Sequence, residues 1–191
     1  IVITNYVYQE VVDRPSHIPR FELGALRIKE LVERGIIKFA TDIGLAQAEI
    51  ESETQRWLKI ANSAIKSDNH FIEVVSIAEI SCIAVSSLLN KKRIENIIGI
   101  DERTTRILFE KPENLRDLMS NKLHRNITLH TRELENTKQF RFIRSSEIVF
   151  MAYKKKLIEI GDKHALEALL YATKFKGCAI SWEEIEQLKK L

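Results

Sequence analysis

The chain has 191 residues, of which 45% are hydrophobic and 30% charged, and its formal net charge is +3. These values are ordinary for a globular domain, and the mild positive charge permits a polyanionic partner without requiring one. Two cysteines in apolar stretches exclude a disulfide framework, and no apolar run approaches the roughly 18 residues of a membrane span. A domain in the reducing cytosol, away from membranes, is therefore expected.

The first third of the chain predicts alternating strands and helices. IVIT at residues 1–4 predicts a strand, and YVYQEVVD predicts a short helix that ends near Pro15. FELGALRIKELVERG has apolar side chains at helical spacing up to Gly35, and IIKFA predicts the next strand. A longer helix is expected from about residue 43 to residue 67.

The middle of the chain predicts a buried helix and then a buried strand. IAEISCIAVSSLL, from about residue 77 to residue 89, is apolar almost all round, which is typical of a central helix. NIIGI is continuously apolar and so predicts an interior, parallel strand. The alternation of strands and helices, with little Gly or Pro, predicts an α/β sandwich.

Residues 120–146 interrupt this alternation. NITLHTREL and QFRFIRS alternate apolar and polar side chains, which predicts an inserted antiparallel arm. The arm has six basic and two acidic residues, and the aromatic residues Phe140 and Phe142 lie between the basic ones near its end. Such an arm is suited to hold phosphates and stack bases, while a solvated hairpin or a dimer contact is the alternative.

The last part of the chain returns to predicted helices. SSEIVFMAYKKKLI, HALEALLYATKF and WEEIEQLKKL have helical patterns, and Ser181 with Glu184 matches a capping box. Because no linker is visible, we expect one domain over residues 1–191 with the arm inserted at 120–146.

Three acidic residues occupy positions that suggest a metal site. Asp101 follows the central strand, at the carboxyl end where ligands bind in open parallel sheets. Glu79 lies in the first turn of the buried helix, and Glu10 on the short helix after the first strand. Converging carboxylates there would bind Mg²⁺ or Mn²⁺. The alternatives are a helix cap for Asp101, an interaction with the helix dipole for Glu79 and a solvated surface position for Glu10.

The order of these segments resembles that of the PIN-domain nucleases. IAEISCIAVSSLL followed by IIGIDERTTR resembles the acidic helix and acidic strand end of the subgroup whose helix starts with Glu. NYVYQEVV resembles the family's earlier acidic helix, and EIVFMAYKKKLI with GCAISWEEI is similar to its closing elements. The resemblance covers most of the chain, and the order of the motifs is more specific than any one of them.

The resemblance implies a Rossmann-like three-layer α/β/α sandwich around a mostly parallel sheet. It further implies a cytoplasmic prokaryotic endoribonuclease in which carboxylates hold Mg²⁺ or Mn²⁺ and a metal-bound water attacks the RNA phosphodiester. Glu10, Glu79 and Asp101 would be catalytic metal ligands, and Glu102 a further ligand. In the family the opening strand ends in an Asp ligand, which this chain does not contain, so an upstream strand is expected. A catalytically silent PIN-like module for RNA binding or assembly is the alternative.

Basic residues would position the RNA. Arg103 and Arg106 flank the proposed site, although ion pairs on their own helix are the alternative for them. The predicted RNA-binding set is Arg103, Lys122, Arg125, Arg132, Arg141 and Arg144. The family further implies a toxin–antitoxin or an RNA-processing role, with an antitoxin or another protein as partner and a homodimer or higher oligomer as the assembly.

Overall fold

A computed structural model describes residues 1–67, 70–130, 134 and 140–191, without the side chains of Lys122 and Leu123. The strands are short: β1 (Val2–Ile3), β2 (Lys38–Phe39), β3 (Ile65–Ser67), β4 (His70–Phe71), β5 (Ile98–Gly99), β6 (Ile127–Leu129) and β7 (Phe142–Ile143). The α-helices are α1 (Asn5–Tyr8), α2 (Pro19–Glu33), α3 (Gln47–Asn62), α4 (Ile77–Lys91), α5 (Arg103–Glu110), α6 (Pro112–Leu123), α7 (Ser145–Lys154), α8 (Ala165–Phe175) and α9 (Trp182–Leu188).

The α/β class predicted from the sequence is confirmed, but the described strands form three small sheets. β1 pairs with β2 and β5 with β7, both in parallel, while β3 lies between β4 and β6 in an antiparallel sheet. The three-layer sandwich with one central sheet is therefore not seen as such. No helix in the described ranges combines the length and the apolar character needed to cross a membrane.

The predicted helix from residue 43 to residue 67 is divided into three elements. A 3₁₀ turn at Ala40–Ile43 ends at Gly44, whose φ of 83° is the left-handed conformation that glycine adopts without strain. The α-helix α3 begins only at Gln47, and the segment after it forms β3. The helical periodicity was thus correct over α3 and wrong at both of its ends.

The predicted antiparallel arm differs from the described structure. β6 pairs with β3, and β7 pairs in parallel with β5, so the two runs join separate sheets. Ile127 and Phe140 are buried in the main core, which explains the difference because their apolar side chains find partners there. Residues 131–133 and 135–139 of the arm, with Arg132 and Lys138, lie outside the described residues.

The main core surrounds α4, as its apolar sequence predicts. Ile80 and Ile83 of α4 are fully buried among side chains of α3, α5 and α6. Trp57, Phe109 and Phe140 complete this core, and their ring centroids lie 5.3 to 5.8 Å apart. A smaller cluster holds α8 and α9 together; it contains Leu166, Leu170, Cys178, Ile180 and Ile185.

Candidate functional site

Asp101 lies just beyond β5, where the sequence places it. β5 and β7 are parallel, so the residues that follow them, Asp101 and Ser145, meet at one edge. The Ser145 N–H and hydroxyl donate to the two Asp101 carboxylate oxygens at 2.7 and 2.6 Å. Asp101 thereby binds the first turn of α7, a helix distant in sequence.

The hydrogen bonds from Ser145 keep Asp101 ionised. Burial alone would raise the pKa of Asp101, but the Ser145 hydroxyl and N–H, together with the positive charge of Arg144, lower that pKa below its ordinary value. A carboxylate at neutral pH is the form that a metal ion requires.

Glu102, and not Asp101, caps the helix that follows β5. The two Glu102 carboxylate oxygens accept from the N–H groups of Thr104 at 2.7 Å and Thr105 at 2.6 Å. These donors belong to the first turn of α5, which has no intrahelical acceptor for them. The cap considered for Asp101 is therefore made by its neighbour.

Glu79 occupies the first turn of α4 and reaches α5. The Ser76 N–H donates to Glu79 Oε2 at 2.8 Å, and the Glu79 N–H donates to the Ser76 hydroxyl at 3.3 Å, which is a capping box. The Thr105 hydroxyl donates to the same Oε2 atom at 3.0 Å. Glu79 Oε1 accepts no hydrogen bond from the residues that the structure describes.

Thr105 brings two of the predicted site residues together. Its side chain is fully buried; its hydroxyl contacts Glu79 and its N–H contacts Glu102. Asp101 precedes Glu102 in the chain. Glu79 and Glu102 therefore meet at Thr105, while the carboxylate of Asp101 is held at the start of α7.

Glu10 is exposed on a turn of π-helix, Gln9–Asp13, which follows the N-terminal segment that packs against α4. Cys82 follows Glu79 by about one helical turn. Burial raises the pKa of Cys82 to about 11, and the negative charges of Glu79 and Glu10 both add to the increase. A hydrogen bond of 2.6 Å between the buried hydroxyls of Thr4 and Ser81 holds the N-terminal segment against α4. We call Glu10, Glu79, Asp101 and Glu102 the acidic edge.

The acidic edge supplies the ligand chemistry of a hard divalent cation. Among the described residues, no three His, Cys, Asp or Glu side chains form a group that could hold a metal ion. Mg²⁺ is usually bound by one or two carboxylates, with waters and substrate phosphates as the other ligands. Glu79, whose Oε1 accepts no hydrogen bond from the described residues, is one carboxylate of that kind.

The predicted RNA-binding residues have different environments. Arg103 and Arg125 are exposed, and Arg103 is in the first turn of α5. Arg141 is also exposed and donates to the Asn96 carbonyl at 3.3 Å. The side chain of Lys122 and the whole of Arg132 lie outside the described residues.

Arg144 belongs to the interior instead of the surface. Its guanidinium donates to Glu147 and to Glu184, each at 2.8 Å, and to the Ala179 carbonyl at 3.3 Å. These contacts join α7 to α9, so the geometry favours a structural role over a phosphate contact. Arg106 is largely buried and lies 3.9 Å from Glu110, the pairing within α5 that the sequence offered as its alternative.

Sequence reasoning missed Ser145 and Thr105, the two donors that organise the acidic edge. The segment FIRSSE carried a signal for Ser145, because a serine between an apolar strand and a helix commonly supplies hydrogen bonds at a helix start. No local signal pointed to Thr105, whose role depends on α4 packing beside α5. Comparisons with protein-family models, curated proteins and solved structures gave no match.

Proposed function

We propose that the acidic edge is the centre of a PIN-like, metal-dependent endoribonuclease that hydrolyses RNA phosphodiester bonds. The observation that carries this proposal is the meeting of Glu79 and Glu102 on Thr105, beside an ionised Asp101. Carboxylates at the carboxyl end of a parallel strand pair are placed where α/β proteins bind ligands. The order of the motifs along the chain supports the same family.

In this proposal the acids of the acidic edge bind the metal ion, and neighbouring hydrogen-bond donors hold their carboxylates in place. Glu79 Oε1 accepts no hydrogen bond from the described residues, and Glu79 would hold Mg²⁺ or Mn²⁺ together with Asp101 or Glu102. Glu10, exposed nearby, would act through a water. A bound ion would supply an activated water and stabilise the leaving oxygen. Thr105 and Ser145 orient the carboxylates, and exposed Arg103 at the start of α5 is placed to pair with an RNA phosphate.

The finer architecture is part of this proposal. The parallel pairs β1–β2 and β5–β7, with helices between their strands, are consistent with two parts of one Rossmann-like sheet. An assembly with an antitoxin or another protein, and a homodimer or higher oligomer, remain predictions from the family resemblance.

The first experiment measures cleavage of mixed RNA in Mn²⁺ by the complete gene product. Asp101→Asn and Glu79→Gln should each lower the cleavage rate by about a hundredfold, since each removes a charged ligand while keeping an acceptor for the helix donors. Glu73→Gln, on the exposed loop before α4, is the matched control and should cleave normally. Unchanged cleavage by Asp101→Asn would refute the catalytic assignment.

The second experiment detects the ion without relying on activity. A ligand that binds only the folded protein raises the melting temperature, so Mn²⁺ should stabilise the wild type and the Glu73→Gln control. Glu79→Gln should lose most of that increase. An equal increase in both variants would place the ion elsewhere.

One observation favours the catalytically silent module as a second candidate. Both oxygens of Asp101 and both of Glu102 already accept hydrogen bonds from helix N-termini, which is a sufficient structural reason for these residues. In that case Asp101→Asn would reduce stability, while RNA binding would continue without cleavage. The two experiments above separate these outcomes.

A further inference from the structure

Three aromatic side chains form a patch on the surface of α8 and α9. We call Phe175, Trp182 and the half-buried Tyr171, which also packs against the core between α8 and α9, the aromatic patch. The Trp182 ring lies 5.3 Å from that of Tyr171 and 6.0 Å from that of Phe175, measured between centroids. Phe175 is 75% exposed and Trp182 is 51% exposed. The Lys174 ammonium lies 4.8 Å from the centroid of the Trp182 ring.

Packing between the two helices does not account for this exposure. The other group of three aromatic residues, Trp57, Phe109 and Phe140, has similar ring distances, but its members are buried in the core. Single exposed apolar residues are common, whereas contiguous exposed ones mark binding surfaces. The patch therefore has the properties of a site that another molecule covers.

The aromatic patch is connected to the acidic edge by a short segment. The Ala179 N–H donates to the Asp101 carbonyl at 3.2 Å, and the Arg144 guanidinium donates to the Ala179 carbonyl at 3.3 Å. Trp182 follows Ala179 by three residues and begins α9. Trp182 is thus linked to Asp101 by three residues of chain and one backbone hydrogen bond.

We propose that the aromatic patch stacks the unpaired bases of a single-stranded nucleic acid. Aromatic rings hold bases of any sequence by stacking, while basic side chains contact the phosphates between them. The Lys174 ammonium lies at the patch and donates to the Ile180 carbonyl, so exposed Lys176, which follows it, is the cation placed to contact a phosphate, with Glu183 as a neighbouring carboxylate. That the stacked strand is also the one cut at the acidic edge rests on the proposed function; the stacking itself does not.

The test measures binding of a labelled single-stranded RNA of about 12 nucleotides, a length that covers one such site. The buffer contains EDTA, so cleavage plays no part. Phe175→Ser should weaken binding about fivefold or more, the loss expected when one stacked base is released. Phe175 is mostly in water, so this variant keeps its fold. Phe21→Ser, at an exposed Phe on α2 that also has a neighbouring arginine, is the matched control and should bind like the wild type.

A second readout distinguishes stacking from attraction by charge alone. Trp182 is the exposed one of two tryptophans, so a bound base should quench its fluorescence, and Trp182→Phe should remove that signal. An abasic strand of the same length should bind at least fivefold more weakly than the RNA and leave the fluorescence unchanged.

Equal binding of the abasic strand, or wild-type binding by Phe175→Ser, would overturn the proposal. A patch that is instead buried by self-association, detected by sedimentation at increasing concentration and abolished by Phe175→Ser, would assign it to a protein contact and also overturn the proposal. Stacking without any metal-dependent cleavage would retain this inference and refute the nuclease proposal alone.

Discussion

The buried carboxylate of Glu53 and the carboxylates of the acidic edge are held by different kinds of hydrogen-bond donors. Glu53, on α3, is buried, and its oxygens accept from Arg56 at 2.7 Å and from Lys91 of α4 at 3.1 Å. Trp57 and Ser87 add hydrogen bonds of 3.1 and 2.7 Å. In the acidic edge, by contrast, the bonds described above come from N–H and hydroxyl groups, and no lysine or arginine of the described ranges forms an ion pair with these acids.

This difference separates a structural charge from one that is available for binding. Arg56 and Lys91 together outweigh the charge of Glu53, so that group joins α3 to α4 and has no negative charge left to offer a cation. Helix N-termini lower the energy of the carboxylates at the acidic edge without cancelling their charge. The proposed metal site requires that the negative potential that remains attracts a cation from solution. The following variants test this contrast, from the largest expected effect to the smallest.

Glu53→Gln should lower the free energy of unfolding by about 2 to 3 kcal/mol, because a buried charge network loses its central acceptor while half-exposed cations return to water. Chemical denaturation measures the loss. Glu51→Gln, an exposed acid on the same helix, is the control and should change stability by less than about 0.5 kcal/mol. Equal stability of both variants would show that Glu53 is not a structural charge.

The lowered pKa of Glu53 predicts that the stability of the protein depends on pH. Burial raises the pKa of Glu53, but hydrogen bonds from Arg56, Ser87 and Lys91 outweigh it and lower that pKa from 4.5 to about 2. Because the folded pKa is the lower one, the stabilisation is complete above pH 4.5 and is lost as the pH falls toward 2. Unfolding curves of Glu53→Gln should change less than wild type in this range; parallel curves would contradict the pKa assignment.

Arg144→Met should reduce stability by about 2 kcal/mol, since Glu147 and Glu184 lose their shared partner. RNA affinity of the folded variant should be unchanged. Arg141→Met, at an exposed member of the predicted RNA-binding set, should show the reverse: normal stability and weaker binding, with a smaller dependence on salt. A loss of RNA affinity in a fully folded Arg144→Met protein would return Arg144 to the RNA-binding surface.

Asp101→Asn should reduce stability by about 1 kcal/mol, the usual contribution of a helix-capping carboxylate. Since the pKa of Asp101 is lowered in the folded state, this contribution is present above pH 3.8 and is lost as the pH falls further. Ser145→Ala combined with Asp101→Asn in a double-mutant cycle isolates the bond between them. Additive effects in that cycle would mean that the two side chains do not interact.

Glu102→Gln should have the smallest effect, about 0.5 kcal/mol, because an amide oxygen still accepts from the first turn of α5. If the carboxylate is also a metal ligand, the stabilisation by Mn²⁺ should fall as well. Unfolding measured with and without Mn²⁺ separates these contributions. A loss of several kcal/mol without metal would instead make Glu102 a core structural charge.

Local sequence patterns predicted the helices and strands better than they predicted which strands pair. The apolar sequence of α4 correctly predicted a buried helix, and the capping box of Ser181 and Glu184 forms with bonds of 2.8 and 3.1 Å. The pairing of β6 with β3 was missed. Alternating side chains predict a strand but leave its neighbour open, since several short strands satisfy the same backbone groups.

The candidate site shows the same division. Its acids were identified because each stands at a helix start or strand end, positions that can be read from sequence. Their partners Ser145 and Thr105, and the interior position of Arg144, required knowledge of which helices lie side by side.

The amino-acid sequence by itself thus determined the α/β class, the central helix and the position of Asp101 after a buried strand, because periodicity and capping act within a few residues. Only the tertiary structure decided which donors hold each acid, which charges are neutralised and which aromatic rings remain in water. Those properties arise from contacts between segments far apart in the chain, where the energy depends on packing and solvent exposure and not on local spacing.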